Sequence, residues 1–125
     1  MTIVKAISLF DSQRRNDVST ELKTEWLSQL DFKIYEELLK ARYDVSFSGY
    51  TSQTATSEEL LAPEAYSEIY PAYLIMKTDY MNGETERYNN SASVFNRLYY
   101  ELSNYINREK PVKTNSKLKA GKIYV

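Results

Sequence analysis

Between Thr20 and Arg42 an apolar side chain returns every four positions, at Leu22, Trp26, Leu30, Ile34 and Leu38, with Leu27 beside them. Sustained over so long a run, that spacing describes one long helix with a broad apolar stripe. A second apolar set, Phe32, Tyr35 and Leu39, lies roughly opposite, its members within about 60° of one another around the helix axis. A surface helix of a monomer needs one stripe; two demand cover from both sides. That cover is either the rest of the same domain or a neighbouring subunit, and in so short a chain the neighbour is the favoured partner. At 125 residues a domain hides only about two-thirds of the surface its unfolded chain exposes, so the core is thin and a partner can complete it.

The remaining segments read as further helices. Thr2 is placed to cap a first helix near 2–14, in which Ile3, Ile7 and Phe10 share a face with Val4 beside them, and Asn16-Asp17 breaks it. Ser19 with Leu22 opens the long helix. Pro63 with Glu64 suits the first turn of a third helix near 64–81, where proline's missing donor costs nothing. A break or kink is expected at Tyr70-Pro71, and Tyr66, Ile69, Tyr70, Tyr73, Met76 and Tyr80 fall near one stripe. Asn82-Gly83 then supplies a left-handed stop. A fourth helix near 84–108 carries Tyr88, Ala92, Phe95, Leu98, Tyr99, Leu102, Tyr105 and Ile106 on one face. Its opposite face carries Asn89, Asn90, Ser93, Asn96, Arg97, Asn104 and Asn107, with Tyr100 an aromatic projecting from the polar side. So tight a connection makes the last two helices an antiparallel hairpin.

Two stretches depart from the helical period. From Tyr43 to Pro63, Val45 and Phe47 alternate with Asp44, Ser46 and Ser48, followed by Gly49 and the polar run Thr51-Ser52-Gln53-Thr54-Ala55-Thr56. This is a small hairpin or extended excursion, too poor in apolar content to stand alone, and it rests either on its own domain or on a neighbour. After Lys110 the chain is basic, with Lys113, Lys117, Lys119 and Lys122 spread along it, and it ends in Gly121-Lys122-Ile123-Tyr124-Val125. A basic terminus can be a solvated end, but three closing β-formers suit a strand that pairs with something. The expected fold class is therefore all-α: a small bundle of about four helices over residues 1–110, with a hairpin-like excursion over 43–63, and an extended C-terminal tail over 111–125. The expected core is Trp26, Leu30, Ile34, Leu38, Ile69, Tyr73, Phe95, Leu98, Leu102 and Ile106.

Composition removes most chemistries. The chain has no cysteine and no histidine, which takes away disulfides, thiolate metal sites, cysteine nucleophiles, His-based triads and most transition-metal sites. Neither GxGxxG nor GxxxxGK[ST] occurs, and glycine appears only 3 times, so no phosphate-cradling loop is expected. The adjacent pairs Glu36/Glu37 and Glu58/Glu59 would not face each other on a helix, although Asp79 and Glu84 flank a turn and could approach. We expect no enzyme, no cofactor and no metal site. With 16 basic and 17 acidic residues the net charge is −1, and no global field draws the chain to nucleic acid or anionic lipid. No run is apolar enough to span a membrane and the N-terminus lacks a secretory pattern, so a soluble protein of a reducing compartment is expected. Tyrosine, by contrast, occurs 12 times; it is over-used at protein interfaces, and it also serves small cores as a half-buried aromatic.

The stretch from Leu61 to Arg108 resembles the small helical head–tail connector proteins of tailed bacteriophages, also called adaptor or head-completion proteins. The residues that carry the resemblance are Leu61-Ala62-Pro63-Glu64-Ala65-Tyr66, Ile69-Tyr70-Pro71-Ala72-Tyr73-Leu74, Asn82-Gly83-Glu84 and Arg87-Tyr88-Asn89-Asn90-Ser91-Ala92 through Phe95-Asn96, with Trp26-Leu27-Ser28 in the long helix. It covers residues 2 to 110 and leaves the tail outside. The resemblance implies a virion protein of the neck, present in the host cytoplasm during assembly. It further implies a twelvefold ring of subunits under the portal protein that extends the DNA channel and docks the stopper or tail-completion protein. Packaged DNA would pass through without sequence-specific binding. On that reading, subunits would meet through Phe32, Tyr35, Leu39 and Tyr100. The portal would take the tail, through Lys113, Lys117, Lys119, Lys122, Ile123, Tyr124 and Val125. Two alternatives stand beside it: a small DNA-binding regulator, for which Arg14-Arg15 before a helix could touch phosphate, and another adaptor binding one partner one-to-one.

Overall fold

Thr2 and Ser19 open the first two helices, each hydroxyl accepting from the backbone three residues on, Lys5 N at 3.2 Å and Leu22 N at 3.1 Å. The computed structural model describes residues 1–111. Within it α1 spans Ile3–Gln13, α2 Thr20–Ile34, α3 Ile69–Met81 and α4 Thr85–Glu109. The fold is all-α. Among the described residues no strand forms, and a lone antiparallel bridge joins Thr2 to Glu59. No described helix is long and apolar enough to cross a membrane.

The expected run of the second helix to Arg42 is corrected. At Tyr35–Leu39 it widens into a π turn, with Lys40 N donating to Tyr35 O, five residues back, at 2.8 Å. Leu38 stays buried and Leu39 becomes half-buried against the core, and Arg42 closes the end by donating to Leu38 O at 2.8 Å. The third helix is corrected as well. After Pro63 a short 3-10 turn, Glu64–Tyr66, is followed by Ser67, and α3 starts afresh at Ile69. Pro71 therefore sits in the first turn, where its missing N–H is one of the four that have no intrahelical acceptor. The break lies before Tyr70-Pro71 because that placement loses no hydrogen bond.

Nor does the 43–63 excursion form the strand that Val45 and Phe47 suggested. It folds back on the domain, and its far end lies across the start of α1: Ile3 N donates to Glu58 O at 3.0 Å, Val4 N to Thr56 O at 3.0 Å, and Leu60 N to Met1 O at 2.8 Å. The excursion thus supplies acceptors for first-turn donors that α1 cannot satisfy itself.

α3 is the middle helix and packs against α1, α2 and α4. No charged residue occurs from Ile69 to Met76, and the helix buries Ile69, Tyr70, Pro71, Leu74, Thr78 and Asp79. Tyr80, placed by periodicity on the buried stripe, is 69% exposed; it lies at the tip of the hairpin, against Tyr88 at 5.5 Å between ring centroids. The stop at Asn82-Gly83 is as expected: Gly83 takes φ 70°, its N–H reaches Tyr80 O at 3.1 Å, and Glu84 N reaches Asp79 O at 3.1 Å, the paired bonds of a Schellman motif. α4 then returns along α3 with Phe95, Leu102 and Ile106 buried.

The core holds eight of the expected residues fully, while Tyr73 and Leu98 pack against it half-buried. To these the fold adds Ile3, Ala6 and Phe10 of α1, leaving Val4 exposed, and Leu27, Tyr50, Leu60, Ala62, Tyr70 and Leu74. Much of the tyrosine lines seams between elements, as in Tyr66–Tyr105 at 4.7 Å and Tyr73–Phe95 at 5.1 Å. These tyrosines are half-buried aromatics of a thin core.

Candidate interaction surface

A polar junction holds the excursion to the helices. On α2, Thr24, Ser28 and Asp31 form a buried polar row between the two apolar stripes. Asp31 is fully buried, and both of its oxygens are occupied. Oδ1 accepts from the Tyr70 phenol at 2.6 Å; Oδ2 accepts from the Tyr50 phenol at 2.5 Å and from Leu61 N at 3.0 Å. Tyr50 N donates to Ser28 Oγ at 2.9 Å, and Ala62 N donates to the Tyr70 oxygen at 2.7 Å. Burial pushes the Asp31 carboxyl above its ordinary pKa against the pull of those hydrogen bonds. Burial and the adjacent Asp31 charge push both phenols well above the usual range. The arrangement acts as a clamp: one carboxylate ties the outgoing end of the polar loop at Tyr50, its return at Leu61 and Ala62, and α3.

Two further carboxylates fasten α1. Asp79, almost fully buried, is ion-paired with Arg14 and accepts from Ser91 Oγ at 2.9 Å, which joins the ends of α1 and α3 to α4. Arg14, a candidate phosphate contact, is thereby engaged inside the protein, and Glu84 pairs with Arg87 at 3.2 Å rather than meeting Asp79. Asp11 receives Asn16 Nδ2 at 3.0 Å and the buried Lys23 ammonium at 2.8 Å, and these bonds hold its carboxyl below the ordinary value. Among the described residues no three acidic side chains converge as a metal site would require.

The residues proposed for subunit contact are placed unequally. Phe32, 41% exposed, meets Phe47 of the excursion edge-to-face at 4.8 Å, and Tyr35 lies 6.4 Å from the same ring while donating to Val45 O at 3.2 Å. The second stripe of α2 is thus partly covered by its own chain, through the excursion and not through α1. Phe32 keeps a free face, and Tyr35 and Leu39 are half-buried. Tyr100, 67% exposed, stands on the outer side of α4, with no ring contact to this group among the described residues. Its neighbour Tyr99 turns inward and donates to Glu37 at 2.6 Å. Lys113, Lys117, Lys119, Lys122, Ile123, Tyr124 and Val125 lie outside the described residues.

Sequence reading missed a groove of about 480 Å³ between the end of α1, α3 and α4. Its floor is Pro71, Ala72, Ile75 and Leu98, its rim Arg14, Arg87 and the exposed Val94. Val94 beside Phe95 was the available signal, an apolar residue outside the α4 stripe. The described surface exposes Phe32, Val45, Tyr80, Met81, Val94 and Tyr100, and the buried acids Asp31 and Asp79 are both hydrogen-bonded. The chain matches no family model, no curated protein and no solved structure.

Proposed function

We propose that this chain is a structural virion protein, a head–tail connector of a tailed bacteriophage that forms a ring under the portal, extends the DNA channel and docks the stopper or tail. The observation that carries the reading is that Leu61–Arg108, the stretch bearing the resemblance, is one docked unit: the 3-10 turn, α3 and α4, held to α2 through Asp31. Exposed aromatic and aliphatic side chains around that unit give subunits and partners something to grip. The portal is the partner for the basic tail, where strand addition would draw affinity from main-chain hydrogen bonds and the lysines would speed encounter.

Electron microscopy of the full chain mixed with a tailed-phage portal protein tests the reading. A ring on the portal is expected, and a chain truncated before Pro111 should fail to join it. Absence of any complex, together with sequence-specific and steeply salt-dependent DNA binding by the isolated protein, would replace the connector with a DNA-binding regulator. A tight one-to-one complex with a single other protein would replace it with a simple adaptor.

A further inference from the structure

The groove over Pro71, Ala72, Ile75 and Leu98 and the patch around Phe32 lie on different sides of α4. Val94 lines the groove, whereas Tyr99 donates to Glu37 of the π turn at 2.6 Å. Five residues separate the two, which is about 140° around a helix axis. The surfaces also differ in form. The groove is concave, and its α4 wall runs from Arg87 to Leu98, about 16 Å of helix. The patch stands out from the domain through Phe32 and Val45, 41% and 50% exposed. Both are fixed in place, Phe32 by the Phe47 ring and Val45 by the Tyr35 hydroxyl on its carbonyl. A self-complementary surface pairs two copies about a twofold axis. A concave surface and a raised one on different sides of the same chain meet head to tail, the arrangement that closes into a ring.

Charge selects the occupant. The groove carries exposed Arg87 at one end and exposed Glu68 at the other. The patch carries one charge of each sign as well, exposed Asp44 beside Val45 and exposed Lys33 beside Phe32. Arg87 and Lys33 are held by exposed acids of their own helical turn, Glu84 at 3.2 Å and Glu37 at 2.9 Å. Surface pairs of that kind contribute little, so both cations are available to a partner. We propose that the groove of one subunit receives Phe32 and Val45 of a second copy of this chain, with Asp44 toward Arg87 and Lys33 toward Glu68. The inference rests on the connector reading, for which it names the surface that each Phe32 patch meets in the ring.

Because the chain has no cysteine, single-cysteine variants of the full chain report the contact. Val45→Cys and Val94→Cys chains are mixed, once alone at high concentration and once with a tailed-phage portal protein, and treated with a short bismaleimide. In either setting the expected product joins a Val45→Cys chain to a Val94→Cys chain, and neither variant to itself. Arg87→Glu in the Val94→Cys chain, which sets like charges against each other, should lower that product at least about tenfold. Products of one variant with itself, no mixed product in either setting, or a mixed product unmoved by Arg87→Glu overturns the proposal. Electron microscopy of the portal mixture keeps the two readings apart. Rings on the portal without the mixed product would leave the connector and remove the groove contact. The mixed product without rings on the portal would leave the contact and remove the connector.

Discussion

The Tyr70 phenol on α3 donates to Asp31 Oδ1 on α2 at 2.6 Å while accepting the Ala62 amide at 2.7 Å. One hydroxyl therefore joins two helices to the returning end of the excursion. Tyr70→Phe deletes both bonds and strands a donor and an acceptor in a site closed to water. Each such group costs roughly 1–3 kcal/mol, so the loss should sit in the upper part of that range, read as a lower urea midpoint at unchanged slope. A loss under about 0.5 kcal/mol, typical of a surface change, would mean that the junction admits water.

Asp31 also makes a pH prediction. Burial raises its pKa in the folded chain, so the folded state keeps the proton to higher pH than the unfolded one. Its contribution is then most favourable below the ordinary value of 3.8 and declines as pH rises through the folded value, after which it is constant. Asp11 and Glu37, whose pKa values are lowered by Asn16 with Lys23 and by Tyr99 with Lys33, act in the opposite sense. Their stabilisation is present above the ordinary range and lost as pH falls through the folded values. Asp31→Asn removes only the first effect. The stability of the natural chain minus that of the variant should fall as pH is raised from about 3 to 7, and a flat difference would show that Asp31 titrates alike in both states.

Two glycines separate backbone strain from crowding. Gly49 and Gly83 take φ 98° and 70°, and alanine in that region costs roughly 1–2 kcal/mol. A Cβ at Gly83 would meet nothing within 4 Å, whereas one at Gly49 would lie 2.9 Å from Phe32 Cε2 and 3.2 Å from Ser28 Oγ. Gly49→Ala should therefore cost about 1 kcal/mol more than Gly83→Ala, with the Phe32–Phe47 contact loosened in proportion. Equal losses would show that the Phe32 ring yields freely.

What the sequence disclosed was whatever repeats locally. The α2 stripe, the Thr2 and Ser19 caps, the Asn82-Gly83 stop and the α4 face each depend on residues within a turn or two of one another. Asp31 and Asp79 were opaque because their partners lie as far as 65 residues away, and a buried acid looks no different in sequence from an exposed one. A signal did exist: Thr24, Ser28 and Asp31 fall between two apolar stripes, and a helix covered on both sides encloses the polar row between them. The central place of α3 was written in its uncharged Ile69–Met76 run, but the tyrosines there read as a one-sided stripe. The packing of the second α2 stripe was half legible. Periodicity found Phe32 and Tyr35, yet only the fold brings Phe47 back onto them.

Trp26, 6% exposed, is the largest side chain of the α2 stripe and supports Lys77 5.9 Å over its ring. In so thin a core the surrounding helices cannot close the gap left by its loss. Trp26→Ala should cost about 3–5 kcal/mol by cavity formation, measured by thermal or denaturant unfolding. A change of roughly 0.5 kcal/mol would place the indole outside the packed core.

Phe32 and Tyr100 divide the proposed subunit contact into two testable halves. Tyr100 has no ring partner among the described residues and is 67% exposed, so Tyr100→Ala should leave the isolated chain within about 0.5 kcal/mol of its natural stability. Phe32 touches Phe47, so Phe32→Ala should cost about 1 kcal/mol through the lost aromatic pair. If both line a subunit interface, each variant should lower ring formation on the portal by far more than its effect on folding, since truncating a central aromatic typically costs 2 kcal/mol or more of association. Counting rings by electron microscopy and unfolding each variant in parallel separates the two effects. Rings that form normally with Tyr100→Ala and fail only with Phe32→Ala would confine the contact to the excursion side of α2. Normal assembly with both would move the interface to another face, with the groove edged by Arg14, Arg87 and Val94 the next surface to substitute.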